Sequence, residues 1–373
     1  MSYLLTEEQQ LIRNNARDFA KEHLEPFAFE LDKTGRFPAQ TIEHMAQHDL
    51  LSWFLPEEFG GAEVGYLSYV IGVEELSRAS AAVAAILVSH ASAAYAINRW
   101  GSEQQKQQCL PMLARGEKLA ALAITESGPA VGEGPKAVIA TKQGAGFVLN
   151  GEKTFVANAG EAGVYVVVAC TDPALGSKGL AAFLVHAIGG LQVGPKKRMM
   201  GLRGRPTADV TFNNVPAELL GSPGAGPSIC AELLSILAIA EAAQTVGVTS
   251  AALEHAAKYS QQRVQFGRPI GAFEAIQTML AEMATNCHVA RCALYHAASL
   301  VECDASFSIE AAMVKMFSQR LGMNSLIDAV QIEGGYGYSE EMIMAKLFRD
   351  VSGTTILESP FEFPEQLIAA CIG

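Results

Sequence analysis

Gln331-Ile332-Glu333-Gly334-Gly335-Tyr336-Gly337-Tyr338 stands near the C-terminus, with Arg349-Asp350 and then Glu358 behind it. The stretch reads as a glycine-rich turn, then a helical segment, then one carboxylate on a loop. Glycine lets a backbone approach a ligand closely, as a phosphate or pyrophosphate requires. Taken alone, Gly-Gly-x-Gly is equally the cap and turn that ends a helix. The ordered company it keeps, Gln331 before it and Arg349-Asp350 and Glu358 after it, is what points to a ligand site.

Working outward, the hydrophobic period changes twice along the chain. From Ile229 to the end it is helical, with long segments at Ile229 to Gln262, Phe273 to Val301 and Ile309 to Glu333; their length and apolarity predict an antiparallel bundle. Between about Ala120 and Gly224 it is strand-like. Phe147 to Lys153 reads as a strand entering an Asn150-Gly151 turn, Val164 to Cys170 is a β-branched run, and 181–185 and 208–212 are further strands. No helix-length segment separates them, so the expectation is an antiparallel sheet. From Thr6 to about Gly116 the pattern is helical again. Thr6-Glu7-Glu8-Gln9 is a capping box, with Leu11, Ala16, Phe19 and Ala20 expected on one face behind it. Ser80 to Ala96 is small and apolar enough to be buried on most sides, and 101–105 opens another helix. The expected fold is α+β in three units: 1–119 helical, 120–228 a β-sheet domain, and 229–373 a helical bundle.

Composition bounds the function. The chain has 373 residues, half of them hydrophobic, and a formal net charge of -12. An acidic chain lacks the basic stripe of a nucleic-acid surface. The seven cysteines are scattered with no C-x-x-C, which predicts a reduced, cytoplasmic setting without structural disulfides or zinc. The N-terminus has no basic region followed by an apolar run, and no membrane span is expected.

The set Gln-x-x-Gly-Gly-x-Gly-Tyr, Arg-Asp and Glu, in a helix–sheet–helix chain of this length, resembles the acyl-CoA dehydrogenase flavoproteins. The resemblance runs the whole chain and implies FAD as cofactor and Glu358, eight residues after Asp350, as catalytic base. Arg263-Val264-Gln265-Phe266-Gly267 resembles the family's Arg-x-x-Phe-Gly; a guanidinium fork matches two pyrophosphate oxygens. By resemblance Arg263, Phe266, Gln277, Gln331, Gly334 and Gly335 contact the FAD of a neighbouring subunit. Ile124 and Thr125, in Ile-Thr-Glu-Ser-Gly, would lie beside the flavin ring of the chain's own FAD. Phe155-Val156-Ala157-Asn158 stands where the family has Trp-Ile-Thr-Asn, so Phe155 would cover the flavin, while Ala157 lacks the hydroxyl that bonds flavin N5.

The chain also departs from the family elsewhere. Val131 replaces a serine that contacts acyl-CoA. Ala238 stands where an arginine often helps to bind CoA, and Leu237 stands where some relatives carry their base. Glu241, one turn on, is a structural or interface carboxylate first and a weak base candidate second. Glu358 is followed by Ser359-Pro360 where the family has Gly-Thr, and a one-residue shift in that loop would make Glu362 the base. Ala84, Ala85 and Ile86 occupy the region where acidic-substrate members carry an arginine, which implies an uncharged acyl group, with branched and cyclic ones among the candidates.

The implied reaction is α,β-dehydrogenation of an acyl thioester, by α-proton abstraction and β-hydride transfer to flavin. An electron-transfer flavoprotein is the implied acceptor and a homotetramer the implied assembly. The alternative is a partner or half-site subunit of a hetero-oligomer. Residues offered to a neighbour's FAD persist, whereas Val131, Ala157, Ala238, Ser359 and Pro360 are eroded; the retained Glu358 and Thr125 argue for an active enzyme. Loss of two CoA contacts leaves a carrier-protein thioester open beside acyl-CoA.

Overall fold

The chain, in a computed structural model, is described for residues 5–128, 131–144, 146–187, 189–303, 305–356, 367–369 and 371. Thr6 opens the first helix as its spacing predicts. Its hydroxyl accepts the Gln9 N–H at 3.2 Å and the Gln9 side chain accepts the Thr6 N–H at 3.1 Å. Helix α1 (Glu7–Phe19) buries Ala16 and Phe19 but leaves Leu11 57% exposed, against expectation. At about 100° per residue, Leu11 lies some 140° around the helix from Ala16, off the buried stripe. A π turn (Ala20–Leu24) leads into α2 (Glu25–Thr34), and α3 spans Ala39–Gln47. Helix α4 (Tyr66–Trp100) is buried along nearly its whole length and breaks at Ser80, whose backbone is non-helical. Helix α5 (Glu103–Ala114) begins with a second capping box, at Ser102 and Gln105.

The middle unit has strands β1 (Leu119–Ala123), β2 (Ile139–Gln143), β3 (Gly146–Ala157), β4 (Ala162–Cys170), β5 (Leu180–His186), β6 (Leu191–Val193) and β7 (Thr207–Leu220). Their order is β1-β4-β2-β3-β7-β5, and a β4–β5 pairing closes the path on itself. Two expectations are corrected here. The sheet is mostly antiparallel, but β4 pairs in parallel with β1 and, at Ile139–Cys170, with β2. Asn150-Gly151 is not a turn. The hairpin closes between Gln143 and Gly146, and Asn150-Gly151 sits inside a continuous β3, where the β3–β7 register shifts. Gly151 has φ 135°, a bulge conformation that glycine adopts without steric cost.

The C-terminal unit packs α6 (Gly226–Gln262), α7 (Glu274–Glu302), α8 (Ser308–Glu333) and α9 (Ile343–Ile356). Between α6 and α7 a short hairpin pairs β8 (Val264–Gln265) with β9 (Arg268–Pro269). Phe266 (φ 51°) and Gly267 (φ 78°) at its tip have the paired positive φ of a tight hairpin turn. Helix α6 also packs along α4. A Cβ on Gly247 would collide with the Glu74 carbonyl, so glycine there permits the close approach. Helices α4 and α6 are long and apolar enough to cross a membrane, but 94% and 83% of their most apolar windows are buried inside the protein. All seven cysteines are free thiols.

Candidate active site

Strand β1 ends at Ala123 and the chain leaves it as Ile124-Thr125-Glu126. This exit is held from β3. The Thr154 N–H donates to the Thr125 carbonyl at 2.9 Å. The Lys153 ammonium, with no exposed surface, donates to the Ile124 carbonyl at 2.7 Å and to Glu126 Oε1 at 2.6 Å. Glu126 in turn accepts the backbone N–H of Val138 at 3.0 Å and of Gly132 at 2.8 Å. One buried carboxylate thus ties Lys153 and two backbone amides together and folds the chain after Thr125 back on itself. Burial pulls the Lys153 ammonium down to about 8, against the opposing pull of Glu126. Above this scaffold Ile124, Thr125 and Phe155 meet Leu237 of α6 around a narrow cleft that Leu122, Thr154 and Val156 also line.

Phe155 has φ 54°, an uncommon conformation for a bulky residue, and lies where the β3–β7 register slips. Its ring is 42% exposed. Its N–H donates to Asp209 Oδ1 at 3.1 Å, while Lys197 donates to Asp209 Oδ2 at 2.7 Å and lies 4.5 Å from the ring centroid. Ala157 is fully buried, pairs with Thr207 of β7 and does not line the cleft. Leu237 presents an aliphatic side chain to the cleft, and Ala238 behind it is buried.

A second cleft, of about 510 Å³, lies at the end of the bundle and brings Arg263 together with Gly334, Gly335, Tyr259 and Tyr336. Arg263 caps α6, its N–H donating to the Tyr259 carbonyl at 2.9 Å, and its side chain is exposed. Gly334 caps α8 at φ 62°, ψ -136°, a region open essentially to glycine alone, and it exposes backbone to the cleft. Burial raises the Glu333 carboxyl above its ordinary value. Phe266 is 93% exposed at the hairpin tip, its ring edge-on to Phe273. Gln277 donates to the Gly271 carbonyl at 3.1 Å, and the carbonyl of the exposed Gln331 accepts the Gly334 N–H at 3.2 Å. Neither glutamine lines the cleft, and the two clefts have no lining residue in common.

Arg349-Asp350 is a clamp. Arg349 grips Asp32 of α2 with both terminal nitrogens, at 2.8 and 2.5 Å. Asp350 accepts the Leu202 N–H at 2.7 Å and Lys346 at 2.7 Å. Glu241 is buried in an ion pair with Lys315, which also donates to the Thr354 carbonyl near the end of α9 at 2.8 Å. That partnership gives Glu241 a structural role. Glu358, with Ser359, Pro360 and Glu362, lies outside the described residues.

Sequence reasoning missed Lys153, Lys197 and Asp209. Lys153 had a signal: strand alternation puts it on the face of Leu149, and a lysine on a core face calls for a buried acid such as Glu126. Asp209 and Lys197 had none, because the β3–β7 pairing brings Asp209 to Phe155 and the Lys197 N–H, donating to the Thr207 carbonyl, lays Lys197 beside β7.

Comparison with known proteins agrees with this architecture. The acyl-CoA dehydrogenase N-terminal, middle and C-terminal domain families match residues 6–117, 121–215 and 224–372. An acyl-CoA dehydrogenase of Bacillus subtilis is 40% identical over 370 residues, covering 98% of each chain. Butyryl-CoA dehydrogenase from Megasphaera elsdenii superposes with a TM-score of 0.95 at 34% identity, covering 100% of both chains. A chain solved in work on the electron transferring flavoprotein of Acidaminococcus fermentans superposes with a TM-score of 0.95 at 35% identity, covering 100% of this chain and 99% of that one. The chain belongs to the acyl-CoA dehydrogenase family and is an FAD-dependent oxidoreductase.

Proposed function

We propose that the protein removes the α-proton and β-hydride of an uncharged acyl thioester, acyl-CoA in the first instance, and passes the electrons to an electron-transfer flavoprotein. The observation that carries this reading is the cleft joining Arg263 to the Gly334-Gly335 backbone. A two-pronged cation facing exposed glycine backbone suits a pyrophosphate. Ile124, Thr125, Phe155 and Leu237 meet around a crevice of only about 10 Å³, so a flat ring system would lie against these residues rather than inside them. FAD, when bound, supplies a two-electron acceptor for the β-hydrogen. Arg263 and the glycine turn would hold its pyrophosphate, and Ile124, Thr125 and Phe155 its ring. Because these residues line separate clefts, a second copy of the chain contributing Arg263 to its neighbour's cofactor fits the arrangement, in a homotetramer by family resemblance.

Glu358 is the proposed base. A carboxylate removes an α-proton only if its own pKa is raised and the thioester carbonyl is hydrogen-bonded. The Arg349 and Asp350 anchors fix the helix eight residues before it. The fully buried Ala84, Ala85 and Ile86 of α4 offer no cation to an acidic acyl group, which supports an uncharged substrate.

The test is the visible spectrum of the purified chain before and after anaerobic addition of acyl-CoAs. Yellow protein that bleaches supports the enzyme. Colourless protein that cannot be reloaded with FAD supports the partner-subunit alternative. Glu358→Gln is expected to keep the flavin and lose turnover; an active variant moves the base to Glu362.

A further inference from the structure

Asp209 and Lys197 surround Phe155 in a way the dehydrogenation chemistry does not require. The backbone of Phe155 is in the left-handed region, where a bulky side chain needs outside support. Asp209 gives that support through one carboxylate oxygen, which takes the Phe155 N–H. Its other oxygen takes the Lys197 ammonium. The ammonium is thereby fixed over the ring at 4.5 Å from its centroid, within cation–π range. Lys197 is 27% exposed, so the charge has access to water without being lost in it. Its neighbours in sequence add to it. Lys196 reaches across to the Gly35 carbonyl, and Arg198 lines the same surface cleft. Lys33 and Arg203 line that cleft as well, and against these five cations stand Asp32, Asp209 and, acting on Lys196, Glu161. The edge is net positive on a chain whose net charge is -12.

We infer that Lys197 is a positioning and charge-tuning residue for the cofactor, acting through Phe155: with Asp209 it fixes the aromatic wall of the cleft and makes that wall favour a reduced, more negative ring system. This rests on reading Phe155 as a wall of the FAD cleft. The physical basis is that reduction adds negative charge, and a fixed cation near the site favours the more negative form. Phe155 carries no charge of its own, so in this wall the polarity comes from the residue standing on its face.

The experiment compares Lys197→Met and Lys197→Arg with the parent holoenzyme. It reads the flavin midpoint potential by equilibration with a reference dye, together with the thermal midpoint. Lys197→Met is expected to stay yellow and equally thermostable. Its equilibrium with the dye should shift about tenfold toward oxidised flavin, about 30 mV for a two-electron couple. Lys197→Arg, which keeps the charge and the cation–π contact, is expected to restore the parental potential. A yellow Lys197→Met with the parental potential overturns the inference, as does an equal shift in both variants. A colourless parent that cannot be reloaded with FAD overturns instead the FAD reading on which the inference rests, so the two failures are distinguishable.

Discussion

Replacing Lys153 by Met removes the centre of the scaffold under the proposed flavin cleft. The ammonium makes two buried hydrogen bonds, to Glu126 at 2.6 Å and to the Ile124 carbonyl at 2.7 Å. Met fills much of the same volume, so a cavity is a minor factor. The cost comes from Glu126, which is left as a buried carboxylate with the Gly132 and Val138 amides but no cation. Breaking one side of a buried pair typically costs ~3–5 kcal/mol. At roughly 2.1 cal/mol/K per residue, a cooperative unit of 373 residues has an unfolding entropy of ~0.8 kcal/mol/K, so the midpoint should fall by about 4–6 °C. The assay is a thermal melt followed by far-UV circular dichroism, with flavin absorbance read in parallel. Loss of the Ile124 anchor should also weaken FAD retention, since Ile124 and Thr125 floor the cleft. Glu126→Gln in the Lys153→Met background removes the stranded charge and should recover part of the midpoint. A fall of less than about 1 °C in the single variant, or a double variant no better than the single, would refute the argument that the pair supports this cleft.

Arg263→Ala is expected to lose FAD on gel filtration while the apoprotein keeps its helical spectrum, because the side chain is exposed and caps nothing. Arg263→Lys should recover only part of the binding, since an ammonium lacks the two-pronged fork. His90 is fully buried and accepts the Ala120 N–H at 3.1 Å; burial lowers its pKa to about 4 from an ordinary 6.5. The unfolded chain therefore binds the proton first as pH falls. The stability that neutral His90 contributes is full above pH 6.5 and is lost progressively toward pH 4, by about 3 kcal/mol. A stability–pH profile of His90→Asn should lack that part of the slope. Lys315→Met removes the cation from beside the buried Glu241, and should lower the thermal midpoint more than Glu241→Gln does, because the amide can still accept a hydrogen bond. Equal losses in those two variants would show that charge at this position contributes little.

The fold was legible where the signal is local. Thr6 and Ser102 announce helix starts through residues three positions on, and the long apolar runs of α6, α7 and α8 carry their own period. Leu11 is apolar and stands in a helical run, but five residues from Ala16 it points away from the buried face. Asn150-Gly151 is a related case. The dipeptide is a turn signal only where a strand has reached its end, and β3 continues to Ala157 because β7 pairs beside it on both sides of the bulge. The parallel β1–β4 pairing was illegible because a connection that contains a hairpin looks, in sequence, like a run of antiparallel neighbours.

The site divides in the same way. Arg263 and the Gly334-Gly335 turn were readable because their backbone demands are written locally: a hairpin tip at Phe266-Gly267, and a helix cap at Gly334 that only glycine can adopt. What surrounds the other cleft is long-range. Asp209 reaches Phe155 across 54 positions, and away from that cleft Asp32 reaches Arg349 across 317. Arg349-Asp350 illustrates the consequence. In sequence the pair marks a distance to Glu358, whereas in the structure both side chains are spent on α2 and on the Leu202 backbone, so neither is free to act on a substrate. Their contribution to chemistry must therefore be indirect, through the rigidity they give to α9, and disrupting either contact should disturb the placement of whatever follows that helix before it disturbs the binding of FAD.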